Sequence, residues 1–200
     1  SMVADLLVHN ANLFTVDSSS STHRPGAVAI AGGRIVAVGA DEEVRAAVRA
    51  EREIDVRGAV VHPGFVEGHV HISEHLIRGS LNPEEFAWDE TLIWSTLWHN
   101  AMEAEDEEAA SRLACLEMVR NGTTCFLEPG TVFEPDAAAT AAEAVGIRGS
   151  VADCYLWDLG AISRDQPTIT RAPADTKRCL RERGNELKRN NDADALVRGL

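Results

Sequence analysis

The sequence is poor in positive charge: its 200 residues hold 19 Lys and Arg against 32 Asp and Glu, a formal net charge of −13. A chain this acidic repels a phosphate backbone, and no basic cluster interleaved with aromatic residues offsets that repulsion locally. We therefore expect no nucleic acid as a partner. Long uncharged apolar stretches are also missing, which excludes a membrane-spanning helix, so we expect no membrane partner either.

The features of a signal peptide are absent as well. Ser1 and Met2 are not followed by a basic flank and an apolar run, and a serine ahead of methionine is typical of tag removal. The cytoplasm is therefore the expected location. With 44% hydrophobic and 26% charged residues, the composition predicts a packed globular chain rather than a disordered one.

Closely spaced cysteines are lacking. The four cysteines stand at positions 115, 125, 154 and 179, too far apart for a Cys-x-x-Cys metal or redox unit. They are expected to be reduced, buried thiols. The same absence argues against the nucleobase deaminases that bind zinc through a His-x-Glu motif and a Cys-x-x-Cys pair.

The first 58 residues predict a small antiparallel β unit. The segments with the composition of short strands are 6–8, 12–16, 27–30 and 34–38. Gly32 and Gly33, between the last two, suit a hairpin turn that needs positive φ. Asp41 is expected to cap a short helix that runs to residue 50, after which 53–56 returns to a strand. We place the end of this unit near residue 58.

From residue 59 onward, predicted strands and helices alternate. Residues 60–66 are typical of a strand buried on both faces, as in parallel sheets. Further strands are predicted at 123–127, 147–152 and 195–200, and helices at 84–120, 137–144 and 175–190. This alternation implies right-handed crossovers and a parallel sheet, either open or closed into a barrel. An eightfold barrel needs about 250 residues, so the chain holds at most its first three to four units.

The helix that ends near residue 120 has a signal at each end. The acidic residues of 103–108 suit a helix N-terminus, and Asn121 with Gly122 suits a left-handed stop. The stripe expected to face the core consists of Ala109, Ala110, Leu113, Leu116 and Val119.

Segment 61–71, Val-His-Pro-Gly-Phe-Val-Glu-Gly-His-Val-His, carries the chemistry. Side chains alternate along a strand, so His69 and His71 share one face. Two neutral imidazoles at this spacing can bind one Zn²⁺ at about 2.0 to 2.1 Å each. The pair also stands at the end of the first barrel strand, where barrel enzymes have their active sites. A bare His-x-His motif is a weak signal, because an exposed or hydrogen-bonded pair is the commoner outcome.

Three further motifs strengthen that signal. In chain order, the set is 33–39 (Gly-Arg-Ile-Val-Ala-Val-Gly), 63–71, 78–79 (Arg-Gly) and 117–124 (Glu-Met-Val-Arg-Asn-Gly-Thr-Thr). Together they resemble the amidohydrolase superfamily, and within it the branch of cytosine deaminases, chlorohydrolases and adenosylhomocysteine deaminases. The resemblance spans about residues 5–155.

The resemblance implies a (β/α)₈ TIM-like metal-dependent hydrolase barrel, preceded by part of a small β-sandwich that is built from both chain ends. Residues 1–58 would be the N-terminal part of this composite sandwich, and 59–200 the N-terminal part of the barrel. His69 and His71 would bind one divalent metal, expected to be zinc with iron as the alternative. A small heterocyclic substrate is implied as the partner, and a homodimer is the default assembly.

The remaining machinery implied by the resemblance comes from later strands. It comprises a His on the fifth strand, a His on the sixth, a proton-shuttling Glu and an Asp on the eighth. The catalytic residues are therefore expected beyond residue 200.

Three residues are predicted to contact substrate. Glu74 and His75 follow the first barrel strand, where loops supply specificity. Related deaminases place an aromatic beside the substrate ring, which makes Trp88 the candidate for stacking. Trp94 and Trp98 are expected to pack in an aromatic stripe.

Two kinds of acidic position complete the prediction. Glu67 stands where the family commonly has Asp or Asn, and is either an outer partner of a metal ligand or one half of an ion pair. Glu128 and Asp153 end the second and third strands, where they can face the barrel mouth or cap the next loop. Pro129-Gly130 predicts a sharp turn that would hold the Glu128 carboxylate near the site.

The main functional hypothesis is hydrolytic deamination, or a related displacement, at an electron-poor carbon of a nitrogen heterocycle. A second hypothesis keeps the metal but opens a cyclic amide, as hydantoinases and dihydropyrimidinases do; a carboxylated fourth-strand Lys bridging two metals would identify it. A third is a non-catalytic fragment or assembly partner, if the chain ends at residue 200, because two histidines alone bind zinc weakly.

Overall fold

The computed structural model describes residues 2–80, 84, 102–132, 134–153 and 187–200. It divides into two compact units, Ser1–Pro63 and Gly64–Leu200. Several positions named above lie outside the described residues: Trp88, Trp94, Trp98, Cys154, Cys179 and residues 175–186 of the predicted helix.

The first unit is a five-stranded mixed sheet. Its elements are β1 (Met2–Phe14), β2 (Thr22–Ala31), β3 (Arg34–Ala40), α1 (Asp41–Ala47), β4 (Val48–Asp55) and β5 (Val60–Val61). The order is β3-β2-β1-β4, with β5 also paired to β1. The prediction of an antiparallel unit is correct for β1 and β2, which are antiparallel. It is wrong for β4 and β5, which are parallel to β1. The core of this sheet is formed by Ala4, Leu7, Ala27, Ala29, Val44 and Val48.

Local details of the first unit correct the prediction in three places. The two predicted strands 6–8 and 12–16 are one long strand, whose pairing is irregular near Asn10 (φ 56°). Helix α1 ends at Ala47 rather than residue 50, because Val48 already pairs with Met2. Asp41 does not cap α1; its carboxylate accepts the backbone N–H of Asn10 at 2.6 Å.

The Gly32-Gly33 hairpin between β2 and β3 is confirmed. The two glycines have φ of 57° and 72°. Positive φ at both central positions matches the right-handed twist of the flanking strands, which is why two glycines stand there.

In the second unit, strands and helices alternate from β6 to β8 as predicted, while most of the helix predicted before β9 lies outside the described residues. Its elements are β6 (Phe65–Glu67), a 3₁₀ turn (Ile72–Leu76), α2 (Ala104–Arg120), β7 (Thr123–Val132), α3 (Pro135–Val145), β8 (Arg148–Asp153), a second 3₁₀ turn (Lys188–Asn191) and β9 (Val197–Gly199). The sheet order is β6-β7-β8-β9, and all three pairings are parallel. Gly122 (φ 85°), after the end of α2, has the left-handed conformation that the sequence predicts, and Gly146 (φ 86°) has the same conformation after α3.

The predicted strand 60–66 is shared between the two units. Val60–Val61 pairs with β1, so the first unit extends to Pro63, past the predicted boundary at residue 58. The expectation of burial on both faces is wrong for β6. This strand is at the edge of the described sheet, and Phe65 and Val66 are 58% and 71% exposed.

Of the stripe predicted to be buried on helix α2, only Ala110 is buried. Leu113, Leu116 and Val119 are exposed. The buried residues of α2 are small or polar: Glu107, Ala110, Ser111, Ala114 and Cys115. Because α2 lies mainly against α3 and the first 3₁₀ turn, small side chains permit close approach and the larger ones face away.

The segment before β9 is fastened to helix α3. The Arg189 guanidinium donates to the carboxylates of Asp136 (Nη1 to Oδ1, 2.6 Å) and Glu143 (Nε to Oε1, 2.7 Å). The neighbouring Asn190 exchanges two hydrogen bonds with the backbone of Gly199, at 2.9 and 3.0 Å. These contacts position β9 at the end of the sheet. Within the described residues, no helix is long and apolar enough to cross a bilayer.

We expect Cys115 to resist thiol reagents in the folded protein. It is a free, buried cysteine, and burial raises the pKa of its thiol to about 12, so little reactive thiolate forms at about pH 8. Cys125 is free and partly exposed, and should be labelled first. Iodoacetamide labelling read by peptide mass spectrometry checks this expectation, and equal labelling rates at the two cysteines would contradict it.

Candidate metal centre

His69 and His71 lie just beyond the end of β6. The strand ends at Glu67, so the histidines do not lie on a regular strand. The prediction that they do is therefore wrong. Pairing nevertheless resumes at Val70, whose N–H donates to the carbonyl of Leu127 at 3.1 Å. The two imidazoles converge: their Nε2 atoms are 3.2 Å apart and their rings meet edge to face, with centroids 4.9 Å apart.

The separation of these nitrogens fits a shared metal ion. Two ligands about 2.0 to 2.1 Å from a tetrahedral zinc ion are about 3.3 to 3.4 Å apart, close to the observed 3.2 Å. Imidazole nitrogen is also a donor that zinc favours. Among the described residues, no group of three or more His, Cys, Asp and Glu side chains is placed to hold a metal ion. Within the described residues, the pair therefore presents two imidazole nitrogens and no third side chain of these types.

A buried carboxylate lies behind His71. Glu128, on β7, is fully buried. Its Oε1 accepts the backbone N–H groups of Gly130 and Thr131 at 2.8 and 2.7 Å and the Thr131 hydroxyl at 3.0 Å. Its Oε2 accepts the N–H of Ile72 at 3.1 Å. The predicted sharp turn after the strand is wrong, because Pro129 and Gly130 lie within β7, where its pairing with β8 is irregular between Glu128 and Val132. This irregular stretch holds the Glu128 carboxylate beside the histidine pair.

His71 contacts both Thr131 and Glu128. Its Nδ1 is 3.0 Å from Thr131 Oγ1 and 3.7 Å from Glu128 Oε1, so the direct hydrogen bond is to the hydroxyl and the carboxylate acts at slightly longer range. The nearby Glu128 carboxylate raises the pKa of His71, against the opposing effect of burial. Burial opposes ionisation of Glu128, but His71 and the N–H groups of Thr131 and Gly130 outweigh it and lower its pKa. The carboxylate is therefore ionised at neutral pH.

The other predicted site residues have different surroundings. Glu67 is exposed and accepts the backbone N–H of His69 at 3.2 Å, so it contacts the backbone rather than an imidazole. Glu74 and His75 lie on the 3₁₀ turn after His71, both partly buried. His75 Nε2 is 3.9 Å from the Glu117 carboxylate on α2, which directs this ring toward the helix.

Two of the sequence motifs meet in the structure. Arg78 donates two hydrogen bonds, of 2.6 and 2.8 Å, to the two carboxylate oxygens of Glu117. The side chains of Arg78 and Glu117 are both partly exposed. The hydrogen bonds from Arg78 lower the pKa of Glu117. This planar contact joins the loop after the histidines to α2.

Thr131 is the site residue that the sequence analysis missed. It is 4% exposed and contacts both Glu128 and His71. Its signal is local: a hydroxyl three residues after an acidic residue, across a Pro-Gly pair, is placed to return to that carboxylate. Its contact with His71, however, spans 60 residues of sequence and is set by the β6–β7 pairing.

Comparison with known proteins defines the family. A family model described as the amidohydrolase family matches residues 60–193, which include the histidine pair. The chain belongs to the amidohydrolase family.

Two curated relatives are similar over most of the chain. A 5'-deoxyadenosine deaminase of Methanosarcina mazei is 37% identical over 159 residues, covering 78% of this chain and 35% of the relative. A 5-methylthioadenosine/S-adenosylhomocysteine deaminase of Syntrophobacter fumaroxidans is 37% identical over 161 residues, covering 78% and 34%. The chain thus spans about a third of the length of these relatives.

Solved structures share the fold. A zinc-bound adenosine deaminase from Xanthomonas campestris matches with a TM-score of 0.71 at 22% identity, over 99% of this chain and 42% of that one. A mutant atrazine chlorohydrolase from Arthrobacter aurescens TC1, crystallised with zinc and atraton, matches with a TM-score of 0.74 at 23% identity, over 97% and 45%.

Proposed function

We propose that the protein containing this chain is a hydrolase that removes an amino group, or a related leaving group, from a nitrogen heterocycle at a single divalent metal. The observation that carries the proposal is the 3.2 Å approach of His69 Nε2 and His71 Nε2. It occurs just past a strand of a parallel sheet, at the carboxyl end where barrel enzymes have their sites. Membership of the amidohydrolase family supports the same reaction class.

Zinc is the metal expected at this pair, with iron as the alternative. When bound, such a metal lowers the pKa of a coordinated water toward about 7 and so supplies a nucleophile at neutral pH. The chain contributes two imidazole ligands, and the side chains behind them fix one of the rings. The remaining ligands and the acid/base residues are assigned to the protein beyond residue 200.

The architecture proposed for the whole protein follows the resemblance. The four parallel strands of the second unit form the first part of a (β/α)₈ barrel, and closure requires later strands. The first unit is proposed to be the N-terminal part of a composite β-sandwich. Its mixed sheet supports that role.

Substrate contacts are proposed for Glu74, His75 and Trp88. Glu74 and His75 follow the histidine pair directly on the 3₁₀ turn. The names of the curated relatives favour an adenine nucleoside or a close analogue as the heterocycle. Cytoplasmic location and a homodimer stay predictions from the sequence.

Ammonia release tests the proposal. We would load the complete gene product with Zn²⁺ and assay 5'-deoxyadenosine, 5'-methylthioadenosine, guanine and an amino-substituted triazine, with chelator-treated protein as the control. Release from at least one amine, lost on chelation and restored by metal, is the expected result. Absence of ammonia from every amine, with hydrolysis of a dihydropyrimidine instead, would overturn deamination in favour of ring opening.

A further inference from the structure

We propose that Thr131 and Glu128 form a hydrogen-bond relay that holds His71 in a single tautomer, with its Nε2 lone pair directed toward His69. The proposal rests on the proposed function, because it gives the metal-binding role of His71 a positioning partner. Both residues act through the imidazole of His71 and neither is assigned a contact with the metal.

The direction of the relay is fixed at Glu128. Both carboxylate oxygens of Glu128 act as acceptors, Oε1 of the N–H groups of Gly130 and Thr131 and Oε2 of the N–H of Ile72. Its Oε1 lies 3.0 Å from Thr131 Oγ1, so the hydroxyl proton of Thr131 points to the carboxylate. Full burial removes water as a competing partner for either carboxylate oxygen.

The hydroxyl of Thr131 in turn determines which ring nitrogen of His71 carries hydrogen. A threonine hydroxyl carries one proton, and here that proton is already used by Glu128. Toward His71 the hydroxyl can only accept, so the Nδ1 atom at 3.0 Å must carry the hydrogen. A neutral imidazole has one N–H, and the Nε2 atom is therefore left with its lone pair. That is the form in which a histidine binds metal through Nε2.

The backbone around the relay is shaped to hold the carboxylate. Gly130 has φ of 125°, in a region that L side chains rarely adopt, and this lets two successive N–H groups point at Glu128 Oε1. Pro129 has no N–H that would compete for the same oxygen. The second carboxylate oxygen accepts the N–H of Ile72, so Glu128 fixes the main chain next to His71 as well as its ring.

Substitution of Thr131 by valine or serine distinguishes the effect of the hydroxyl from the effect of the side-chain shape. Thr131→Val keeps the volume but removes the relay, and Thr131→Ser keeps the hydroxyl. We expect Thr131→Val to lower zinc affinity about 10- to 100-fold in the complete gene product, and Thr131→Ser to stay close to wild type. Competition with a chromophoric chelator gives the affinities. Thr123→Val, at the other end of β7, is the matched control and should bind zinc normally.

The tautomer itself can be read without metal. With ¹⁵N-histidine labelling, couplings from the ring protons distinguish Nδ1–H from Nε2–H, and the His71→Asn spectrum assigns the signal. At a pH where His71 is neutral, above its raised pKa, we expect Nδ1–H in the metal-free wild type and a shift toward Nε2–H in Thr131→Val, a change that a loss of stability alone would not produce. Nε2–H in the wild type, or an unchanged tautomer and zinc affinity in Thr131→Val, would overturn the relay.

The two proposals fail separately in these experiments. A wild-type protein that binds no zinc would end the proposed function, yet its metal-free spectrum would still decide the tautomer. Normal zinc binding by all position-131 variants would end the relay and leave the proposed function standing.

Discussion

His71→Asn is expected to remove metal binding and nearly all hydrolytic activity from the complete gene product. The substitution takes away one of two converging nitrogens and leaves the Thr131 hydroxyl without its donor. A metal-generated nucleophile supplies several kcal/mol of catalysis, and about 1.4 kcal/mol is a factor of ten, so kcat/KM should fall by about 10³-fold or more. Metal content after dialysis and ammonia release measure the two effects.

The control for this experiment is another histidine in the same stretch of chain. His62 is exposed, and its Nδ1 lies 2.6 Å from the carbonyl of the adjacent Pro63. His62→Asn should retain metal and activity. If His71→Asn kept a full complement of zinc and wild-type turnover, the metal centre would have to be placed elsewhere.

Phe126→Ala is expected to destabilise the second unit by about 3–5 kcal/mol, the usual cost of emptying a buried phenylalanine site. Phe126 is 2% exposed and belongs to the core that includes Ile72, Val151 and Val197. The site cannot easily collapse, because its walls come from several strands and helices. Urea unfolding of the complete gene product, followed by circular dichroism, checks this value.

The facing position on β8 gives a sharper version of the same test. A Cβ added at Gly149 would collide with the ring of Phe126. Gly149→Ala should therefore cost about 1–3 kcal/mol, as overpacking does, and Phe126→Leu should recover part of that loss in the double variant. Gly68→Ala, where a Cβ would meet open space, is the matched control. Strictly additive losses in the double variant would show that the two positions do not press on each other.

The alternation of strands and helices in the second unit was predictable because its signals are local. Glycine stops after α2 and α3, at Gly122 and Gly146, need only the conformation of one residue. The proximity of Glu128 to the histidine pair was also predictable from its place at the carboxyl end of the second predicted strand, although β7 continues through Pro129 and Gly130 to Val132 instead of turning there. These features depend on neighbours in sequence, and tertiary contacts reinforce them.

The predictions were wrong where contacts between segments distant in sequence determine the structure. The large apolar residues of α2, such as Leu116, suggested the buried stripe, but the close approach of α3 and the 3₁₀ turn selects small residues such as Ala114 instead. The parallel pairing of β1 with β4 and β5 has no local pattern, because either strand orientation buries the same alternating residues. Thr131 was missed for the same reason, since its partner His71 lies 60 residues away, beyond the end of β6.

The pairing of β1 sets a constraint on biosynthesis. This strand leaves the ribosome before two of its partners, β4 and β5, which end at Asp55 and Val61. Until those residues emerge, the nascent β1 can form backbone hydrogen bonds only with β2 on one edge. Its other edge is open to strands of other chains. This sheet therefore most needs a chaperone during the period before Val61 has left the ribosome, for example when the ribosome stalls before that residue.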